Sequence, residues 1–306
     1  MSPGRTLGAM QFTKAHGTGN DFVVLADLED RLDLPAELVR ALCDRHTGVG
    51  GDGVLRLGAP PQGADVFMDY RNADGTAVQM CGNGVRVTAK HLVDHGLVAP
   101  TAEVVRVATR SGIKNVRVQR DADGLLARAE VDMGAADHAP ERVPFAPAGD
   151  VPSDAPLHEL EIEGGLVRLG VASMGNPHGV LEVDDVDTAP VRTWGPVLET
   201  NPRFPEKANI GFAEVVADDA IRLRVWERGV GETQACGTGA CAAVAVLHRQ
   251  GRVSGHVEVS LPGGVLTVRF GHDGTLLLAG PAVEVAHGYL DETWLAAARP
   301  REGATP

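Results

Sequence analysis

The chain is sparing with cysteine, lysine and aromatic residues, and it has no long apolar run. Four cysteines, Cys43, Cys81, Cys236 and Cys241, are too few to staple 306 residues, so thiols in a reducing compartment are expected instead of structural disulfides. No apolar stretch approaches the ~20 residues of a membrane span, and "MSPGRTLGAM" has no apolar leader core, so no membrane partner and a cytoplasmic location are expected. A surplus of positive charge is also missing. The formal net charge of -13 argues against nucleic acid or an anionic surface as partner. The four lysines, Lys14, Lys90, Lys114 and Lys207, stand in no phosphate-binding context, which leaves a pyridoxal phosphate enzyme without its Schiff-base residue. What remains is a globular composition, 43% hydrophobic, long enough for one large domain or two ordinary ones.

Glycine is abundant, and it is placed with a purpose. "VQMCGNGVRVTAKHL" (Val78 to Leu92) and "TQACGTGACAAVAVL" (Thr233 to Leu247) each set a cysteine against Gly-x-Gly and run on into a helical pattern. The two frames agree beyond the cysteines. Asn72 and Glu227 lie nine residues before Cys81 and Cys236, and Gly96 and Gly251 lie fifteen after them. Those glycines are the expected helix stops. Upstream, Gly19-Asn20 and Gly175-Asn176 precede β-branched runs, and downstream "EVVRVATRSGIKNVRV" and "HVEVSLPGGVLTVRF" both read as hairpins. One register held across four features points to an internal duplication.

The expected architecture is therefore α+β, with two pseudo-symmetric halves, each mainly antiparallel sheet wrapped around a central helix. Residues 10–126 carry Cys81, with residues 286–297 expected to complete that half, and residues 127–285 carry Cys236. The Pro/Ala-rich run Ala135 to Pro156 reads as loop near the boundary. Residues 1–9 and 298–306 are expected to be disordered.

A thiol at a helix N-terminus meets outward-pointing N–H groups and the positive end of the helix dipole, and is expected to ionise more readily than the usual ~8.5. The Gly-x-Gly behind it lets the backbone approach an anion closely. A lone Cys-Gly is ordinarily a buried small hydrophobe. Two in one register suggest two anion-binding turns gripping one carboxylate, with a sulfur on either face of its α-carbon. That arrangement suits stereoinversion: one thiolate removes the proton and the opposing thiol returns one to the other face. Neither cysteine belongs to a C-x-x-C or close Cys/His cluster, so no metal is expected. Cys241 and Cys43 read as helix packing.

The segments "HGTGNDFVVL", "RHTGVGGDGVL", "YRNADGTAVQMCGNGVR", "SMGNPHGVLEV", "KANIGFAEVV", "ERGVGETQACGTGACAAVAV" and "LPGGVLTV" together closely resemble the diaminopimelate epimerase family, over about Met10 to Gly288. The resemblance implies a diaminopimelate epimerase-like fold with substrate between two halves. It also implies a homodimer, and conversion of LL-2,6-diaminopimelate to the meso isomer without cofactor or metal, a step toward lysine and peptidoglycan. Cys81 and Cys236 would be the acid/base pair, with His178 and Glu227 tuning them. Backbone N–H groups of Gly82, Asn83, Gly237 and Thr238 would hold the reacting carboxylate. Asn20 and Glu227 would meet the reacting amine, and Asn72, Asn176, Asn209 and Arg228 would read the distal amino acid end. A fixed guanidinium suits bidentate recognition of that distal carboxylate.

One position departs from the pattern: Gly53, where the family often carries a glutamine. The nearest rival is a proline or hydroxyproline racemase of the same superfamily. Its substrate has no distal end for Arg228 and three asparagines to read, and such relatives usually carry histidine where Asn83 stands. A thiol redox sensor or a catalytically dead binding module would need no constellation of this kind.

Overall fold

The computed structural model describes residues 10–149, 151–152, 155–163 and 165–299, so residues 1–9 and 300–306 of the two expected tails lie outside the described residues. Two compact units are present. The first combines the chain up to Gly17 with Asp21–Ala129 and the segment from Ala282 on, and the second combines Thr18–Asn20 with Glu130–Pro281.

In chain order the first unit holds β1 (Gln11–Gly17), β2 (Asn20–Ala26), α1 (Ala36–Cys43), β3 (Gly53–Gly58), β4 (Val66–Asn72), α2 (Gly82–Asp94), β5 (Val104–Thr109) and β6 (Gly112–Arg120). Strand β7 (Leu126–Ala135) runs through the boundary. The second unit continues with β8 (His158–Ile162), β9 (Gly165–Ser173), β10 (Pro177–Glu182), α3 (Val191–Glu199), β11 (Asn209–Ala217) and β12 (Ala220–Glu227). It closes with β13 (Gly231–Thr233), α4 (Gly237–Arg249), β14 (His256–Leu261), β15 (Gly264–Phe270) and β16 (Thr275–Gly280). The chain then returns to the first unit as β17 (Val283–Tyr289) and α5 (Glu292–Ala298). Ala298, the start of the tail expected to be disordered, closes that last helix.

The architecture is sheet-rich α+β with few helices. Antiparallel pairs predominate, and both expected hairpins are present as β5–β6 and β14–β15. Among the described residues, the pairs β2–β3, β4–β5, β10–β11 and β12–β14 are parallel. Each of these is bridged by a helix, α1, α2, α3 and α4 in turn. A parallel pair cannot be closed by a tight turn, so the helices serve as crossovers as well as core.

Helix α2 touches β1, β3, β4, β5, β6 and β17, and helix α4 touches β9, β10, β11, β12, β15 and β16. Sheet on nearly every side explains why these helices lack an exposed face over much of their length: Gly82 through Ala89 are buried without exception, as are Gly239 through Leu247. Both helices stop as their glycines require. Gly96 (φ 66°) donates to Val93 O while Leu97 N–H reaches back to Leu92 O at 2.8 Å. Gly251 (φ 70°) donates to His248 O while Arg252 N–H reaches Leu247 O at 2.9 Å. A left-handed residue followed by a six-to-one bond satisfies the last carbonyls and ends the helix.

Further apolar clusters lie outside these helices. In the first unit Val23, Leu25, Leu38, Leu42, Cys43 and Val54 pack together, and burial pushes the Cys43 thiol up to about 12, as befits a packing residue. In the second, Phe145, Leu160, Leu169, Phe204, Ile210 and Phe212 form the counterpart cluster. Among the described residues no helix is long and apolar enough to cross a membrane.

Candidate active site

The four cysteines stand as thiols, and two of them occupy a special position. Cys81 is the N-cap of α2, with extended backbone (φ -143°, ψ 116°), and its sulfur accepts the Gly84 N–H at 3.4 Å. Helix geometry points the N–H groups of Gly82 and Asn83 out of the N-terminal end. Glycine at position 84 is needed for close packing, since a Cβ there would lie 3.1 Å from Leu55 Cδ2. Beneath the turn is a residue the sequence reasoning passed over. Arg86, fully buried, donates from Nη2 to Asn83 Oδ1 at 3.0 Å and from Nη1 to Gly82 O at 3.4 Å. An arginine flanked by valines, in "GVRVTA", was the available signal, because a buried cation must find acceptors.

Asn72 ends β4, where its side chain donates to Thr76 Oγ1 at 3.3 Å. It is paired across the sheet with Gly53, the position that departs from the family pattern. A Cβ at Gly53 would collide with Arg71 O and lie 2.5 Å from Tyr70 Cε2. The ring of Tyr70 thus occupies the room that a side chain at 53 would take.

The second unit brings together more of the expected residues. Cys236 is the N-cap of α4 (φ -122°, ψ 110°) and accepts the Gly239 N–H at 3.4 Å. Thr238 Oγ1 lies 3.5 Å from the sulfur, and Asn176 Nδ2 donates to Thr238 Oγ1 at 3.5 Å. Asn176 Oδ1 in turn meets His178 Nε2 at 3.0 Å. An amide oxygen only accepts, so Nε2 carries the proton in this contact. The result is a file from His178 through Asn176 and Thr238 to the Cys236 sulfur.

Charge in this unit is unevenly shared. Burial pushes His178 down to about 3, with the nearby Arg228 cation adding to the effect, so this imidazole is neutral and donates one N–H. Cys236 goes the other way. Burial, then the facing Glu227 carboxylate, raise its thiol well above the ordinary 9.0, against the Thr238 and Gly239 hydrogen bonds that favour the thiolate. This corrects the expectation that a helix N-terminus would leave the thiol easily ionised: at a buried sulfur, desolvation outweighs the helix end. Glu227 is itself held by Thr233 Oγ1 at 2.5 Å.

Arg228 follows Glu227 at the end of β12, with Nη1 donating to Glu206 O at 2.9 Å. Asn209, buried, accepts the Arg228 N–H at 2.9 Å and donates to Pro177 O at 3.1 Å, which ties β10, β11 and the Arg228 turn together. Glu199, not singled out in the sequence, anchors the same turn: its carboxylate accepts Trp226 Nε1 at 2.8 Å and Gly229 N–H at 3.0 Å. Asn20 groups with this unit through the Thr18–Gly19 turn, where a Cβ on Gly263 would collide with Thr18 O. Both turn residues have positive φ (56° and 80°), the requirement of a tight two-residue turn between strands. The first unit accordingly holds Asn72, Cys81, Gly82 and Asn83, and the second holds Asn20, Asn176, His178, Asn209, Glu227, Arg228, Cys236, Gly237 and Thr238.

Chemically, each cysteine offers a proton-transfer sulfur beside outward-pointing backbone N–H groups, a pairing suited to a carbon acid that bears a carboxylate. Comparison with known proteins agrees with the sequence resemblance. The profile of the diaminopimelate epimerase family matches residues 12–139 and 170–285. The chain is 44% identical to a diaminopimelate epimerase of Ectopseudomonas mendocina over 282 residues, 91% of this chain and 98% of the relative. It is 45% identical to one of Halorhodospira halophila over 295 residues, 95% and 99% of the two chains. Among solved structures, a hydroxyproline epimerase from Agrobacterium vitis superposes with TM-score 0.67 at 18% identity, covering 96% of this chain and 99% of that one. A probable proline racemase from Agrobacterium radiobacter gives 0.66 at 16% identity, covering 92% and 93%. These two share the fold.

Proposed function

The chain belongs to the diaminopimelate epimerase family, and we propose that it inverts one α-carbon of diaminopimelate between the thiols of Cys81 and Cys236. It is an isomerase that interconverts LL- and meso-2,6-diaminopimelate, a step of lysine biosynthesis. The observation that carries the mechanism is the repeated placement of a cysteine as N-cap of a 13-residue helix, with the sulfur 3.4 Å from the N–H three residues on. That recurrence, with sheet around each helix, also supports reading the chain as two pseudo-symmetric halves.

The proton balance is simple. One cysteine, as thiolate, takes the α-hydrogen: the C–H bond breaks, an S–H bond forms, and the carbon's electron pair spreads onto the carboxylate. The N–H groups of Gly82-Asn83 and Gly237-Thr238 receive that charge. The opposing thiol then gives its proton to the other face, which leaves the two sulfurs with exchanged protonation. The raised Cys236 thiol fits the resting proton donor, and Glu227 beside it discourages loss of that proton until the chemistry demands it. Asn20 and Glu227 meet the reacting amine. Asn72, Asn176, Asn209 and Arg228 read the distal end, and the neutral His178 acts on Cys236 through Asn176 and Thr238. The distal set favours diaminopimelate over proline or hydroxyproline. A homodimer is part of the proposal, supported by the exposed apolar residues Val283, Val285 and Tyr289 along β17.

Activity of alanine variants tests the assignment. Cys81→Ala and Cys236→Ala are each expected to abolish epimerisation, whereas Cys43→Ala and Cys241→Ala, at packing positions, retain it. Appreciable turnover by either of the first two would remove that thiol from the mechanism.

A further inference from the structure

Four side chains converge at the far end of α2 from Cys81. His91, in the last turn of the helix, and His95, its C-cap, stand one turn apart, and Glu284 and His287 come from β17. His91 Nδ1 lies 2.8 Å from Glu284 Oε1, His95 Nε2 lies 3.0 Å from Glu284 Oε2, and His287 Nε2 lies 3.5 Å from the same oxygen. The ligand atoms of His91, His95 and Glu284 all fall within 4.8 Å of one another.

The strand contribution requires explanation, because residues three apart on a regular strand face opposite sides. Here the pairing of β1 with β17 passes from Lys14–Ala286 to Ala15–Glu284, so Val285 is an extra residue. This bulge turns Glu284 and His287 to one side, as bulges beside functional sites often do. The far ring nitrogen of His287 is engaged as well: Nδ1 meets Thr13 Oγ1 at 3.0 Å, across the pair Thr13–His287. A partner of that kind fixes the ring and leaves Nε2 aimed at the cluster.

We infer that His91, His95 and Glu284, with His287 as fourth ligand, form a binding site for a divalent cation of the zinc class, separate from the thiols. The donor set of imidazoles and one carboxylate suits Zn²⁺ or Co²⁺ over Mg²⁺ or Ca²⁺, which prefer all-oxygen shells. Bond lengths of about 2.0–2.1 Å in a tetrahedron place neighbouring ligand atoms about 3.3 Å apart. The His–carboxylate separations of 2.8 and 3.0 Å and the 4.8 Å limit on the three ligand atoms bracket that value, and His287 has to move closer to join them. An ion between these atoms would replace the direct His–Glu contacts. Access is available, since His91 and His95 line a cavity of about 770 Å³ and the His95 and His287 side chains are partly exposed. A bound ion would clamp the last turns of α2 to the returning strand β17.

Equilibrium dialysis of the intact protein against Zn²⁺, and titration with Co²⁺ followed by visible absorption, test the site. One ion per chain is expected, with the spectrum of four-coordinate cobalt bound by nitrogen and oxygen. His95→Ala and His287→Ala alter partly exposed residues and should leave circular dichroism unchanged. Each should weaken binding by more than the roughly 10- to 100-fold typical of losing an outer-shell partner. Zn²⁺ should raise the Tm of the unaltered protein and not that of His95→Ala. Absence of binding, undiminished binding in both variants, or a sulfur-to-cobalt charge-transfer band would overturn the assignment.

Discussion

Thr238 is the residue on which the chemistry of Cys236 turns most finely. Its backbone N–H belongs to the helix end, while its hydroxyl lies 3.5 Å from the sulfur and receives the Asn176 amide. That hydroxyl is one of two hydrogen bonds that favour the thiolate against burial and Glu227. Thr238→Val keeps the N–H and nearly the shape but removes the donor. A hydrogen bond to a charged group is worth about 1.5–3 kcal/mol, so kcat should fall roughly 10- to 100-fold with KM little changed. The ionisation of Cys236 seen in the pH–rate profile should move upward, and Thr238→Ser should restore both. An unchanged profile would mean that the hydroxyl does not act on the reacting sulfur. At this scale the matched frames in the sequence disclosed that both cysteines cap helices. It did not disclose the raised Cys236 thiol, which depends on burial and on Glu227, nor the structural engagement of Asn209, whose amide bonds to residues 19 and 32 positions away.

Among elements, the helix ends were readable, because Cys-Gly-x-Gly entrances and glycine exits are local signals. The parallel pairs were not, since nothing local in β2 or β12 says which strand will lie beside it. Nor was Glu199 conspicuous, although it fastens α3 to the turn that carries Arg228. The cation site was hidden for a related reason: His91 and His95 are visible as a helical pair, but Glu284 lies 193 residues from His91. Glu199→Ala removes the acceptor of the half-buried Trp226 N–H and of the more exposed Gly229 N–H, and a typical hydrogen bond contributes about 0.5–1.5 kcal/mol. A Tm lower by several degrees is expected, together with a raised KM for diaminopimelate, because the Arg228 turn loses its anchor. Glu199→Gln retains one acceptor and should fall between the two in both thermal melts and kinetics. A KM unchanged in Glu199→Ala would separate this anchor from substrate reading.

For the whole molecule, the buried titratable groups predict an asymmetric response to pH. His178 has a folded pKa of about 3 against an ordinary 6.5, and burial lowers His158 and His138 too. A group whose pKa is depressed on folding lends stability above its unfolded value and loses it as pH falls toward the folded one. Tm should therefore begin to fall below pH 6.5. The carboxylates of Asp21 and Glu284, also depressed, add their loss only below about pH 4.5, the ordinary value for Glu284. On the alkaline side Cys236 and Cys43 are raised on folding, so their contribution is complete below pH 9.0 and declines above it. A thermal-melt series should show a plateau between pH 6.5 and 9.0, and a Tm constant from pH 6.5 down to 4.5 would contradict the buried neutral histidines.

The central claim is that two opposed thiols share one inversion, and isotope transfer from solvent addresses it most directly. Epimerisation of LL-diaminopimelate is started in deuterated water and quenched early, and mass spectrometry reads the label in recovered substrate and in product separately. The account predicts that the meso product carries one deuterium at its inverted carbon, delivered by the second thiol, while the recovered LL substrate keeps its original hydrogen. Product that retains the original hydrogen, or label entering recovered substrate as fast as product, would mean that a single base serves both faces, and would contradict it.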